Sequence, residues 1–236
     1  MKSISDMLKI AAMPLGKTMY IYGGGWNEND DGAGKECLSY GMSEKWSRFA
    51  NLCKADYNFK DYDYKKNKEV IHLGLDCSGY VGWVLYNVLG DGGYVFKSSN
   101  AVKSLAQMGL GERVERDKVS VRQAGDIFSS ACGCCAHVFI CIGQCGDGSM
   151  LLIHSSPPGV RLAGTPSPYS SGASQAEDLA EKYMKKFYPK WYDRYPVVST
   201  DSKYLTHYEQ LKNTFLTDRE GLRGMDCEEI LKRVFY

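Results

Sequence analysis

The sequence has no run approaching the roughly 18 apolar residues needed to cross a bilayer, so no membrane-spanning segment is expected. It also has no excess of either charge: 29 Lys and Arg stand against 28 Asp and Glu in 236 residues, a net charge of +1. That balance leaves no electrostatic footprint for nucleic acid. The start, Met1-Lys2-Ser3-Ile4-Ser5-Asp6, lacks an uninterrupted apolar core of signal-peptide type, and Ile4, Met7, Leu8 and Ala11 form a helical stripe instead. The expectation is a soluble chain with no visible leader, working in the cytoplasm or exported by other means. No internal repeat or low-complexity tract is present. With 44% hydrophobic and 24% charged residues, the composition suits one globular core elaborated by insertions. Histidine is scarce, four in all, so the position of each carries information.

Cysteine is plentiful, with nine residues. The most informative is Cys77, in Asp76-Cys77-Ser78-Gly79. The run Tyr80 to Leu89 follows, with Val81, Val84, Leu85 and Val88 on one helical face, Asp76 as a good N-cap and Gly90 as a good stop. Cys77 therefore falls in the first turn of a helix, where unpaired amides and the helix dipole favour a thiolate. Taken alone, such a cysteine is more often a small core hydrophobe.

Downstream, Gly125-Asp126-Ile127-Phe128 reads as a turn entering a strand, and Ala136 to Gly143 and Met150 to Ser155 read as two strands joined by the turn-rich segment 144 to 149. A turn centred between Cys145 and Gly146 makes His137 and His154 directly opposed partners, with Cβ atoms about 4.5 to 5.5 Å apart. A shift of one residue sends them to opposite faces. A thiol, a base and a third polar group that orients the base make up the apparatus of nucleophilic catalysis: Cys77 attacks, His137 exchanges protons and His154 fixes the ring of His137.

These motifs resemble the NlpC-type bacterial cell-wall cysteine peptidases, a papain-like family. The resemblance rests on Asp76 to Gly79 at a helix start, Gly125-Asp126 before a strand, His137-Val138 running to Gly143, His154 on the next strand, and Gly16 with Tyr20-Ile21-Tyr22-Gly23-Gly24 after an amphipathic helix. It covers residues 4 to 162 discontinuously. The resemblance implies an α+β, papain-like fold, N-terminal helices packed on a central antiparallel sheet. It also implies hydrolysis of amide bonds in peptidoglycan stem peptides or muropeptides, typically after γ-linked D-glutamate, with no cofactor and no metal. The Cys77 amide and the Tyr20 hydroxyl are expected to face the oxyanion. Asp76, Ser78 and Tyr20 are expected to bind substrate, a polar set suited to the free amino end of a stem peptide. The chain departs from the family in a large insertion, residues 25 to 72, and a C-terminal extension, residues 165 to 236, expected to pack on the catalytic domain of residues 1 to 164.

Two other functions fit the residues: a related thiol amidase or acyltransferase acting on another amide or lipid, and a non-catalytic Cys-rich metal-binding protein. The second draws on Cys132, Cys134 and Cys135 before His137, with Cys141 and Cys145 behind, although no second Cys-x-x-Cys-like pair completes a zinc set. Reduced thiols in a turn and strand are the simpler expectation. The calcium-like stretch from Asn27 fails at its twelfth position, Leu38, where a bidentate Glu belongs. Helices are expected over Ser43 to Leu52, with Trp46, Phe49 and Ala50 inward, over Gln175 to Phe187, and from Asp226 through Val234. The insertion reads as a lid, a substrate wall or a solvated decoration. Residues 165 to 171 read as a linker, and Trp191 and Tyr192 as packing or as a surface that stacks on sugars. His72 reads as a structural or surface residue, and His207 receives no role.

Overall fold

The computed structural model describes residues 2 to 90, 94 to 130 and 136 to 236. The first helix, α1 (Ile4–Ala12), is opened by a reciprocal capping box between Ser3 and Asp6, and its stripe of Ile4, Met7, Leu8 and Ala11 is buried. It packs against α3 (Cys77–Leu89), which is apolar nearly all round and runs through the middle of the molecule. Gly90 ends α3 in the left-handed region, with φ of +77°. Between them lie β1 (Met19–Tyr20), α2 (Glu44–Leu52) and β2 (Gly74–Leu75).

After α3 come α4 (Ala101–Gln107), β3 (Glu112–Val114), β4 (Ile127–Ser129), β5 (Val138–Gln144), β6 (Met150–Ser156) and β7 (Gly159–Gly164). The remainder forms α5 (Gln175–Phe187), α6 (Pro189–Arg194), α7 (Lys203–Thr206), β8 (Glu209–Lys212) and α8 (Cys227–Phe235). The fold is mixed α+β. The eight strands among the described residues form one sheet in the order β2-β1-β7-β6-β5-β4-β8-β3, antiparallel apart from the parallel edge pair β1 and β2.

Alternation along β5 and β6 divides the apolar residues between two faces. Val138, Ile140, Ile142, Leu151 and Ile153 join the main core with α1, α3, α5 and α8. Phe139, Cys141, Met150 and Leu152 form a second cluster with Phe128, Ala163 and Tyr208. No helix among the described residues is long and apolar enough to cross a membrane.

The C-terminal extension is woven into the sheet, since β8 lies between β4 and β3. Asp126 holds it there. Its buried carboxylate accepts from the Gln123 amide (3.0 Å), the Asn213 amide (3.0 Å) and the Gln210 side chain (2.6 Å), and the last two belong to the extension. The stretch at 165 to 171 is pinned as well: Thr165 Oγ1 accepts from the Met150 amide at 2.8 Å, and Ser167 donates to the Asp147 carbonyl at 2.7 Å.

The insertion packs on the rest of the molecule through part of its length, while stretches such as 28 to 31, 54 to 56 and 65 to 69 are exposed. Trp46 of α2 meets Trp83 of α3 edge to face at 5.8 Å, and Trp46 and Ala50 are buried. Phe49 is half-buried and packs on Tyr57 and Tyr62. Arg194 and Tyr195 of the extension donate to the backbone carbonyls of Ala50, Cys53 and Lys54. His72, buried, bonds Glu36 through Nδ1 at 2.9 Å and so has a structural partner. Trp191 is buried in the main core, which gives it a packing role, while His207 bonds the adjacent Thr206 at an exposed position.

Candidate functional site

Cys77 is the first residue of α3, and Asp76 caps the helix by accepting from the Gly79 amide at 2.7 Å. Ser78 donates its hydroxyl to the same Asp76 oxygen at 2.9 Å, which leaves its oxygen able to accept. Gly79 is required by close approach. A Cβ there would stand 2.1 Å from the Gly24 carbonyl oxygen and 2.9 Å from Gly25 Cα, so the double-glycine turn after Tyr20 lies flat against the start of α3. The Asp76 amide, which donates to the Gly24 carbonyl at 2.9 Å, closes this junction. Two of the sequence motifs thus form one structural unit.

The Cys77 thiol is buried, and it receives hydrogen bonds from the Val138 amide and the Ser98 hydroxyl. The sulfur therefore lies against the backbone next to His137. His137 Nε2 is 3.0 Å from His154 Nδ1, with the two imidazoles nearly perpendicular at 75°. His137 and His154 are thus in direct contact, and Cys77 lies near the backbone of Val138, the residue after His137.

The register that joins the histidines differs from the expected one. Ile140 faces Ile153 and Cys141 faces Leu152, after which a bulge between Cys141 and Gly143 shifts the pairing to Gly143 with Leu151. Extending that ladder sets His154 opposite Phe139, so His137 and His154 are diagonal neighbours on one face rather than a directly opposed pair. The imidazoles are long enough to bridge the diagonal.

Electrostatics also depart from the helix-start argument. Burial, with the Asp76 carboxylate adding to it, pushes the Cys77 thiol up to about 12, and the hydrogen bonds from Val138 and Ser98 oppose it only in part. Burial likewise pulls His137 down to about 3, helped by the cationic Arg161, and holds His154 well below the usual imidazole range. The resting pair is therefore a neutral thiol beside a neutral imidazole. Asp76 is raised by burial to about 6, although its hydrogen bonds favour the charged form.

Tyr20, on β1, is half-buried near enough to Cys77 and Asp76 for their charges to act on its phenol, which burial holds protonated far above the usual range. The insertion walls it in: Phe59 meets its ring edge to face at 5.4 Å, and Tyr57 donates to its carbonyl at 2.6 Å.

Two residues of the site escape a motif-based reading. Arg161, on β7 directly across from His154, is buried, and its Nη1 donates to the carbonyls of Ser156 (2.5 Å) and Gly159 (3.3 Å). Tyr204, from α7 of the extension, sets its ring 5.7 Å from His137 and 6.1 Å from His154 and stacks on Phe139 and Tyr208. No motif in the sequence marks Tyr204, whose place at the site comes from the packing of α7 and the following Tyr208 on Phe139.

No group of three or more His, Cys, Asp or Glu suited to a metal occurs among the described residues. Cys132, Cys134 and Cys135 lie outside the described residues. Compared with known proteins, the chain matches no family model, no curated protein and no solved structure.

Proposed function

We propose that this chain is a papain-like thiol hydrolase of the NlpC type, which cuts an amide bond in peptidoglycan stem peptides, after γ-linked D-glutamate, through Cys77, His137 and His154. The observation that carries the proposal is the alignment of a helix-start thiol against the Val138 amide with a histidine whose Nε2 is held 3.0 Å from a second, buried histidine. A bare buried cysteine has no need of such a neighbour.

The reaction follows from the neutral resting pair. As the sulfur attacks the amide carbon, the thiol proton passes to Nδ1 of His137, the nitrogen not engaged by His154. The departing amine takes that proton, leaving a thioester on Cys77, and a water activated by the same imidazole releases the acid. Two donors suit the developing oxyanion: the Cys77 amide at the unpaired start of α3, and the Tyr20 phenol, which burial keeps protonated. Asp76, Tyr20 and the Ser78 oxygen, which can still accept after donating to Asp76, are the groups that recognise an ammonium at the substrate's amino end. Asp76, near 6, is ionised at neutral pH and gains from a cation beside it.

Incubation of purified muropeptides and free stem tripeptide with the protein, with products identified by mass spectrometry, tests the reading. Release of products cut after γ-D-glutamate by wild type and not by Cys77→Ala is expected. Turnover of simple amides or lipids with stem peptides untouched would move the same triad to another substrate, and equal turnover by Cys77→Ala would end the thiol mechanism.

A further inference from the structure

Away from the candidate site, Cys145 and Cys227 lie with their sulfurs 2.7 Å apart. That separation is well inside the non-bonded contact of two sulfur atoms and between it and the roughly 2.05 Å of a disulfide. It does not suit a shared zinc ion, whose bonds of about 2.3 Å hold tetrahedral sulfurs some 3.7 Å apart. Both positions are rigid. Cys145 sits in the β5–β6 turn, where its amide donates to the Ser149 carbonyl at 2.8 Å and its carbonyl accepts from Gly148 at 3.0 Å. Cys227 opens α8, behind a capping box between Asp226 and Glu229.

The bulge in β5 makes room for the pair. A Cβ on Gly143 would stand 3.2 Å from Ile230 Cδ1 and 3.4 Å from Cys227 Sγ, so the strand presents its one side-chain-free position where α8 descends. The third cysteine of this region, Cys141, belongs to the cluster on the opposite face of the sheet, whereas Cys145 and Cys227 belong to the main core. A cavity of about 430 Å³ is lined by Gly146, Gln175, Leu179, Glu228 and both cysteines.

We propose that Cys145 and Cys227 form a disulfide that pins α8 to the β5–β6 turn. Starting from two thiols, the bond is made by exchange with a small-molecule disulfide. One cysteine thiolate attacks it, releasing one small thiol and leaving a mixed disulfide. The second cysteine attacks that bond, releasing the other small thiol. One S–S bond is made as one is broken, two electrons pass from the protein to the small disulfide, and the two thiol protons end on the released thiols. The bond closes a loop of 82 residues, long enough for a large loss of chain entropy in the unfolded state.

The test uses the full chain refolded in a glutathione redox buffer, quenched in acid, alkylated under denaturing conditions and mapped by mass spectrometry before and after reduction. A linked Cys145–Cys227 peptide pair is expected. The oxidised wild type should melt higher than the reduced form by about 10 °C. Cys227→Ser, which keeps size and shape, should fold and lose that redox dependence. Recovery of both residues as alkylated thiols from the refolded protein would overturn the proposal. So would stoichiometric zinc that protects both thiols without a linked peptide, or a redox-dependent melting shift that persists in Cys227→Ser.

Discussion

His137 Nε2 and His154 Nδ1 meet at 3.0 Å, and under the proposed mechanism this contact decides which nitrogen of His137 serves as the base. Because Nε2 is engaged, only Nδ1, the nitrogen nearer its own main chain, is available to the Cys77 sulfur that lies against the neighbouring Val138 amide. A proton on Nε2 of His137, donated to His154, leaves Nδ1 bare to act as a base.

The identity of the contacting atom on His154 sets an order among substitutions. Asn places a polar atom close to where Nδ1 sits, Gln reaches to the position of Nε2, and Ala offers nothing. His154→Asn should keep the most turnover, Gln less and Ala least, with Ala falling by about 10² to 10⁴, as for orienting groups in triads. Cys77→Ala and His137→Ala should show no measurable turnover while retaining the wild-type far-ultraviolet circular dichroism. Steady-state rates on a stem tripeptide check the series, and equal rates for Asn, Gln and Ala would remove His154 from the machinery.

Burial of the two imidazoles ties stability to pH. His137 is held near 3 in the folded protein, against about 6.5 when unfolded. Between those values the unfolded chain binds a proton that the folded chain refuses. Stability from this group is therefore present above about 6.5 and lost as pH falls. Replacing His137 by Asn removes the effect. The stability of the variant relative to wild type should improve from pH 7 to pH 5 by as much as about 2 kcal/mol, read from urea unfolding at each pH. A constant difference between the two proteins would mean that the imidazole is hydrated and titrates normally. Asp76, raised to about 6, has the opposite sign: its contribution is present at low pH and lost as pH rises through 6. The comparison of variant with wild type cancels it.

Tyr204 extends this reasoning to the C-terminal extension. Its ring covers the histidine pair, with centroids 5.7 and 6.1 Å from the two imidazoles. Tyr204→Ala should admit water and move the His137 titration up toward the ordinary imidazole value, followed by nuclear magnetic resonance of the ring carbons. Tyr204→Phe keeps the covering ring and should leave the titration near that of wild type. A shift of equal size in both variants would assign the effect to the hydroxyl instead.

Much of this site was legible because local chemistry decides it. Asp76 and Gly90 bracket α3 by capping and by a left-handed stop, and the stripe of α1 is a pure 3.6-residue pattern. Helices α5 and α8 likewise open at Ser174 and Asp226, each with Glu three residues on. What was not legible depends on distant packing. The turn at Cys145 to Ser149 takes the histidines out of direct opposition, and the bulge at Cys141 to Gly143, packed against α8 80 or more residues away, returns them to one face as diagonal neighbours. The high Cys77 and low His137 values come from burial by elements far along the chain, which outweighs the local helix dipole. Strand β8 is invisible as a sheet member until Asp126 is seen to bind Gln210 and Asn213.

That last contact yields the final prediction. Asp126 is buried, and it accepts from two backbone amides and one side-chain amide that join the entry of β4 to the strand supplied by the extension. Burial raises it, opposed by these three donors and, less strongly, by the charge of Arg223. Asp126→Ala leaves the Gln123 and Asn213 amides and the Gln210 amide without their acceptor, at a cost of about 1 to 3 kcal/mol for each buried donor left unpaired, less what relaxation recovers. The variant should be destabilised by about 3 kcal/mol or more, and hydrogen exchange should speed first at Leu211 and its neighbours in β8. Asp126→Asn keeps one acceptor oxygen and should recover about half of the loss. Destabilisation with β8 protected as in wild type would show that the carboxylate secures only its own turn and that other contacts hold the extension in the sheet.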